Sequence, residues 1–169
     1  MRTAAAVLSA LRAVNDALGR AVAWLTVAMV AGVVGVVILR HAFGIGATAL
    51  QEAVLYLHAL VFLVAAAHTL QHDGHVRVDI LYRRWGERGR ARVDLLGSLC
   101  LLLPMAVFVF VASLDYVAAS WALLETSPSP DGLPFVYLLK TLIPVAAAQL
   151  AAAALVQAGD ALRVLSRRE

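Results

Sequence analysis

The fold of this chain is decided by an apolar stretch near its N-terminus, residues 21–39, AVAWLTVAMVAGVVGVVIL. The stretch contains no charged side chain, and Arg40 and His41 follow it directly. A helix needs about 20 apolar residues to cross the roughly 30 Å hydrocarbon core of a bilayer. The stretch therefore predicts a transmembrane helix.

Three further stretches are long and mostly apolar, at residues 49–70, 95–124 and 133–156, and the end of 95–124 extends the helix beyond the membrane. The chain of 169 residues is 62% hydrophobic and 15% charged, against about 45–50% and about 25% in soluble domains. A helix satisfies its own backbone hydrogen bonds in lipid. The sequence therefore predicts an all-α integral membrane protein, with four transmembrane helices in a single domain over residues 1–169.

Residues 1–20 predict an amphipathic helix. One face carries Arg2, Ser9, Arg12, Asp16 and Arg20, and the other carries Val7, Leu8, Leu11, Val14 and Leu18. Such helices lie at the membrane interface. A signal peptide is the alternative, but the apolar block that follows is longer than that of a signal peptide, and no small-residue cleavage site comes after it.

The arginines predict the orientation of the chain. All except Arg40 lie in residues 1–20, in the 71–94 connection or in the 157–169 tail. They are Arg2, Arg12, Arg20, Arg77, Arg83, Arg84, Arg88, Arg90, Arg92, Arg163, Arg167 and Arg168. Basic segments stay on the cytoplasmic side of a membrane, so we expect both termini and the connection to be cytoplasmic. The net charge of +3 then reflects topology, and we expect no nucleic-acid partner.

Ionisable residues also gather at the opposite, outward end, at Glu52, Asp115, Glu125 and Lys140. Lys140 lies seven residues into the fourth stretch, which places it about 10 Å below the start of that helix. A charge inside the membrane needs a partner and marks a functional site. Glu52, Asp115 and Glu125 are the candidate partners. The alternative is that Lys140 extends its side chain to the headgroups.

Histidines cluster where the second span ends, in the segment HTLQHDGHVRVD that starts at His68. His68, His72 and His75 are spaced i, i+4, i+7, which suits a metal site on one helix face. Histidines inside a membrane also hold b-type haem. However, these three lie on one helix and its exit, Gly74 interrupts that helix, and His41 lies on the other side of the membrane. We therefore expect no metal ion and no cofactor in this chain.

The end of the same segment predicts a structural anchor. Polar residues alternate with apolar ones there, and a period of two indicates an extended turn rather than a membrane helix. Trp and Arg, which follow, favour the cytoplasmic interface. The expected hinge residues are Gly74, His75, Arg77 and Asp79, and the expected cytoplasmic anchors are Arg83, Arg84 and Trp85.

The later motifs carry a family resemblance. They are Gln51-Glu52, Leu63 and Ala67 in the second span, Gly74-His-Val-Arg-Val-Asp79 after it, and Gly97 with Leu103-Pro104 in the third. With these motifs, the chain resembles the small permease subunit of tripartite ATP-independent periplasmic (TRAP) transporters, the DctQ-like family, over about residues 20–160. Gly132-Leu-Pro134, Lys140 and Pro144 resemble the branch associated with mannitol or chloroaromatic compounds.

The resemblance implies a transport role without catalysis. Such subunits sit in the bacterial inner membrane, in contact with phospholipid, beside a large permease that holds the substrate and Na⁺ sites. A periplasmic solute-binding protein delivers the substrate, usually an organic acid. The small subunit is expected to scaffold the permease and to help dock the binding protein, with Glu52, Asp115, Glu125 and Lys140 organising the docking end.

Two alternatives stay open from the sequence. The first is a b-type haem membrane-anchor subunit of an electron-transfer enzyme, for which the absorption spectrum of the purified protein would show a Soret band. The second is a self-contained small efflux protein, which would need no large permease.

Overall fold

The computed structural model describes residues 2–75, 82 and 84–167, and among these residues the structure is helical with no strand. The helices are α1 (Arg2–Ala23), α2 (Leu25–Ala42), α3 (Thr48–Gln71), α4 (Glu87–Leu96), a π-helical segment (Gly97–Leu102), α5 (Leu103–Ala122) and α6 (Val136–Ser166). Four helical stretches are long and apolar enough to cross a membrane: Ala6–Ala42, Thr48–Gln71, Glu87–Ala122 and Val136–Ser166. The predicted all-α membrane fold is confirmed.

The predicted interfacial helix is joined to the first span. α1 and α2 are separated only by Trp24, whose backbone is right-handed helical, and the carbonyl of Trp24 accepts a hydrogen bond from the N–H of Val27 at 3.2 Å. No proline or glycine lies between Arg20 and Val27 to break the helix. α1 therefore continues the direction of α2 instead of forming a separate element.

Glycines on this long helix mark its path along α3. Gly35 lies against Leu50 and Gly32 lies against Val54. Gly19 lies against His68, close enough that a Cβ added there would overlap the imidazole. From Gly35 to Gly19 the residue numbers fall, whereas those of the contacted residues on α3 rise, so α1 and α2 run antiparallel to α3. Because glycine has no side chain, the helices can approach closely at these positions.

The polar face of an amphipathic interfacial helix is expected to face water. In α1, part of this face contacts other helices instead. Arg12 and Asp16 contact side chains of α6 and α3, while Asn15 and Val22 are buried. Val7, Val14 and Leu18 are exposed instead. A helical wheel separates polar from apolar residues, but it does not say which face meets the rest of the protein.

The third span contains a local widening before Pro104. In the π-helical segment the hydrogen bonds reach one residue further back, as from the N–H of Leu103 to the carbonyl of Ser98. Proline has no N–H and crowds the preceding turn. The distortion that a proline causes inside a helix takes the form of a π-helical turn here, which is a common way to accommodate such a defect. α6 continues through Pro144.

α6 is the centre of the bundle, because α1, α3, α4 and α5 all pack against it. Its buried residues are mostly alanines: Pro144, Ala146, Ala147, Gln149, Ala153, Ala154, Val156, Ala158 and Ala161. Small side chains let membrane helices approach closely. The alanine-rich surface of α6 is thus used for packing inside the chain. Among the described residues of α2, by contrast, none is buried.

The close contact at Gly19 gives the first testable prediction. We expect Gly19→Ala to lower the melting temperature of the purified protein, because overpacking of this kind typically costs about 1–3 kcal/mol. Gly35→Ala is the matched control, since its Cβ would meet Leu50 at an ordinary 3.5 Å and alanine is the better helix former. Thermal unfolding in detergent measures both. Equal melting temperatures for the two variants would contradict the α1–α3 packing.

Candidate functional site

Glu52 fastens the connection between α5 and α6 to the first turns of α3. Its Oε2 accepts a hydrogen bond from the backbone N–H of Leu133 at 2.7 Å, and its Oε1 accepts one from the hydroxyl of Ser127. A carboxylate with two donors of this kind forms strong, charge-assisted hydrogen bonds. Glu52 therefore acts as a clamp on a loop 75 or more residues further along the chain.

The clamped loop is ordered internally as well. The N–H of Ser127 donates to the carbonyl of Leu133, and the N–H of Gly132 donates to the carbonyl of Ser129, both at 3.1 Å. Asp131 has a left-handed backbone with φ of 58°. A Cβ on Gly132 would lie 2.9 Å from Glu52 Oε1 and would overlap Ser127. Glycine is therefore required where the loop closes over the carboxylate.

Lys140 is paired with Glu125. Its Nζ forms a salt bridge with Glu125 Oε2, which also accepts a hydrogen bond from the hydroxyl of Ser120 at 2.6 Å. The ammonium lies 4.1 Å from the centre of the Tyr116 ring, within the range of a cation–π contact. The Lys140 side chain is 16% exposed, so it points into this cluster rather than to the headgroups.

Glu125 also connects helix ends through its backbone. Its N–H donates to the carbonyl of Ser120 at 3.0 Å, and its carbonyl accepts from the N–H of Val136 at 3.1 Å. The end of α5 and the start of α6 are thus joined at one residue.

Of the three candidate partners for Lys140, Glu52 is occupied with the loop, and Asp115 lies on an exposed face of α5.

The same contacts shift the protonation of Glu125. Hydrogen bonds from Lys140 and then from Ser120 hold the pKa of Glu125 below its ordinary value of 4.5. Because the folded-state pKa is the lower one, this carboxylate stabilises the fold fully above about pH 4.5. The contribution is lost as the pH falls from there through the lowered pKa.

The opposite end of the bundle collects the basic segments. Arg12 of α1 pairs with Asp160 of α6, and Arg163 contacts the same carboxylate at 3.2 Å. Arg88 of α4 donates to the backbone carbonyl of Arg167 at 2.7 Å. The N-terminal segment, the connection and the tail, which the sequence placed together on charge alone, are therefore in contact.

At this end α3 stops in a defined cap. The N–H of Gly74 donates to the carbonyl of Thr69 at 2.9 Å, and that of Asp73 donates to Leu70 at 3.2 Å, with Asp73 left-handed at φ 54°. These two bonds form a Schellman motif. Asp73 rather than Gly74 takes the left-handed position that sequence reasoning would give to glycine. His75 lies beyond the helix and is exposed.

The remaining anchor residues are only partly described. Arg77, Asp79 and Arg83 lie outside the described residues. Arg84 is exposed, and Trp85 is 43% exposed with its carbonyl accepting a hydrogen bond from Arg90 Nε at 3.0 Å. The exposed indole of Trp85 suits a position at a membrane interface.

Two of the histidines meet a carboxylate from another helix, which sequence reasoning missed. Asp16 Oδ1 of α1 lies 3.2 Å from His68 Nδ1 and 3.7 Å from His72 Nε2. The sequence showed these histidines only as neighbours on one helix and its exit, and Asp16 was not among the residues considered with them. The i, i+4 spacing of the histidines was visible, but the packing of α1 on α3 was not.

A haem would need histidines from different helices at a similar depth. His41 lies at the end of α2, beside the start of α3, whereas His68 and His72 lie at the end of α3. His58 stacks on Phe62 of its own helix, with ring centres 6.3 Å apart. Among the described residues, these histidines therefore do not face one another across the bundle.

The helices and the polar contacts at both ends define a multi-pass helical membrane protein. The family model for tripartite ATP-independent periplasmic transporters, DctQ component, matches residues 29–165. The chain belongs to this family, and the resemblance seen in its motifs is confirmed. It is therefore the small membrane component of a TRAP transporter rather than an enzyme, and it works with a large permease and a periplasmic binding protein. No curated protein and no solved structure matches the chain.

The Glu52 clamp gives the second prediction. We expect Glu52→Ala to release the loop at residues 126–132, because it removes the acceptor for Leu133 and Ser127. A nonspecific protease should then cut this loop several-fold faster, since exposed and loosened loops are preferred sites of cleavage. Asp115→Ala, which removes an exposed carboxylate from α5, is the control and should leave the rate unchanged. Equal cleavage of both variants and the wild type would show that Glu52 does not hold the loop.

Proposed function

We propose that this chain is the stationary scaffold of a TRAP transporter in the bacterial inner membrane. It supports Na⁺-coupled uptake of an organic acid by the large permease and helps dock the solute-binding protein, with both of its own termini in the cytoplasm. The observation that carries the proposal is the loop clamped by Glu52 at one end of a bundle whose basic segments meet at the other end.

The contact between the basic segments supports the orientation. Arg12, Arg163 and Arg88 meet at the end where α3 and α6 finish. Arginine-rich segments stay in the cytoplasm, and anionic lipids of the inner leaflet attract them. The end that carries Glu52, Glu125 and Lys140 then faces the periplasm.

A rigid loop at that end suits docking of the binding protein. Glu52 and the backbone bonds within the loop fix its shape before any partner arrives, and a surface fixed in advance loses less entropy on binding. Apolar side chains lie exposed beside it, with Leu123 at 80%, Leu124 at 59% and Phe135 at 43%. Apolar anchors of this kind dominate the energy of many protein interfaces.

The scaffold role rests on the outer faces of the helices. α2 carries Val30, Val33, Val34 and Val37 exposed, and α5 carries exposed residues such as Phe108. In a membrane such faces contact either lipid or another helix. We assign one of them to the large permease and the rest to phospholipid.

The sites that bind substrate and Na⁺ are assigned to the partner. The substrate and Na⁺ sites belong to the large permease, and this chain supplies no cofactor to them. The link to the mannitol or chloroaromatic branch depends only on Gly132-Leu-Pro134, Lys140 and Pro144, and it stays a prediction. The b-type haem subunit stays an alternative, which the positions of the described histidines do not favour.

The orientation gives the third prediction. Cys100 is the only cysteine, so in a Cys100→Ala background we introduce Ser129→Cys in the clamped loop or Ser166→Cys at the end of α6, both at exposed positions. A membrane-impermeant maleimide added to intact spheroplasts should label the first variant. It should label the second only after permeabilisation. The reverse pattern would invert the topology and remove the docking proposal.

The pair between Lys140 and Glu125 gives the fourth prediction. We expect Lys140→Ala and Glu125→Ala each to lower the yield of the complex with the large permease, or its uptake rate, several-fold, because each leaves the other charge without its partner. The double variant should be no worse than either single one. Arg40→Ala removes an exposed cation from the same end and serves as the control. Unchanged yield and uptake in Lys140→Ala would show that the pair is dispensable.

A further inference from the structure

We propose that Asp16, His68 and His72 form a binding site for a divalent transition-metal ion of the Zn²⁺ class, at the end of the bundle where α1 packs on α3. This site departs from the expectation, drawn from the sequence, that the chain holds no metal. It does not depend on the proposed transport role.

The three donor groups converge on one point. Asp16 Oδ1 is 3.2 Å from His68 Nδ1 and 3.7 Å from His72 Nε2, and the three ligand atoms all lie within 4.8 Å of one another. Zinc binds nitrogen and carboxylate oxygen at about 2.0–2.2 Å, so in a tetrahedral site its ligand atoms lie roughly 3.3 Å apart. Asp16 and His68 already have that spacing, and His72 must move toward both of them to complete the site.

The hydrogen bond of His72 to the carbonyl of His68 determines which of its ring nitrogens is available to a metal. His72 Nδ1 lies 2.9 Å from the carbonyl oxygen of His68, and a carbonyl only accepts, so Nδ1 carries the proton. When the ring is neutral, Nε2 presents a lone pair toward the carboxylate of Asp16, which is also only an acceptor. A metal ion between the two acceptors would bind both of them. Metal-binding histidines usually donate their second N–H to a backbone carbonyl in this way.

The helices hold the ligands in place. His68 and His72 are one helical turn apart, the i, i+4 spacing by which a helix presents two imidazoles to zinc, and their ring centres are 4.2 Å apart. Gly19 lets α1 approach α3 until Asp16 reaches them. Arg12, one turn before Asp16, is engaged with Asp160.

The site keeps an open side. The side chains of Asp16, His68 and His72 are 22%, 27% and 54% exposed, so water can reach the cluster and supply the fourth ligand. Three protein ligands with one open position leave a zinc site accessible to solvent. An ion bound there would join α1 to α3 and stabilise the folded chain by mass action.

The test uses the full-length chain, purified with a tag that contains no histidine and stripped of metal with a chelator. We expect calorimetric titration to show one Zn²⁺ per chain, Co²⁺ to give the visible ligand-field absorption of a tetrahedral site, and Zn²⁺ to raise the melting temperature. Asp16→Asn and His72→Ala should each weaken binding by at least about tenfold. His72→Cys should restore the Co²⁺ spectrum with an added sulfur charge-transfer band.

His41→Ala is the matched control. His41 Nδ1 contacts the carbonyl of Val37 on its own helix at 3.1 Å, as His72 does with His68, but it lies at the other end of α3. Binding should be unchanged in this variant. The proposal is overturned if folded wild-type protein, checked by its helical circular dichroism, shows no Zn²⁺ or Co²⁺ signal. It is also overturned if Asp16→Asn and His72→Ala bind as well as the wild type, or if His41→Ala loses binding equally.

Discussion

A bilayer offers no hydrogen-bonding partner to a polar group, and this constraint decides where the chain places its few charges. Lys140 lies near the start of the last span and forms a salt bridge with Glu125. The backbone of Glu125 connects the end of α5 to the start of α6. Glu52 accepts from the loop between those helices. At the other end, Asp160 and Asp16 collect arginine and histidine side chains. Polar contacts therefore close the bundle at both ends, and the apolar helices need only pack between them.

Between those ends the helices differ in how much of their surface is buried, as expected for one subunit of a larger complex. α6 buries one alanine-rich face against its neighbours, whereas the described residues of α2 are all at least partly exposed. The valines that α2 presents to the outside are as well suited to another membrane helix as to lipid. Wide apolar faces outside the packed centre of a small protein suit contact with a partner, in agreement with its membership of a three-component transporter family.

Sequence reasoning succeeded where one physical property dominates. Length and apolar composition predicted the four spans, and the depth of Lys140 predicted that it needs an acid. It did not choose Glu125 over Glu52 or Asp115, because that choice depends on a loop whose shape Glu52 itself fixes. It also missed the meeting of Asp16 with His68 and His72. That contact depends on α1 continuing α2 past Trp24 and on the small Gly19 at the crossing, and neither effect is visible in a hydrophobic pattern.

We propose that this chain carries no transport chemistry of its own and acts by completing a larger transporter. Reconstitution in proteoliposomes tests it most directly. The large permease, the solute-binding protein and a Na⁺ gradient are combined with or without this chain, and uptake of the substrate is measured. We expect uptake only when all three proteins are present and none from this chain alone. Equal uptake in its absence, or uptake by this chain without the permease, would show that the chain does not act by completing the transporter.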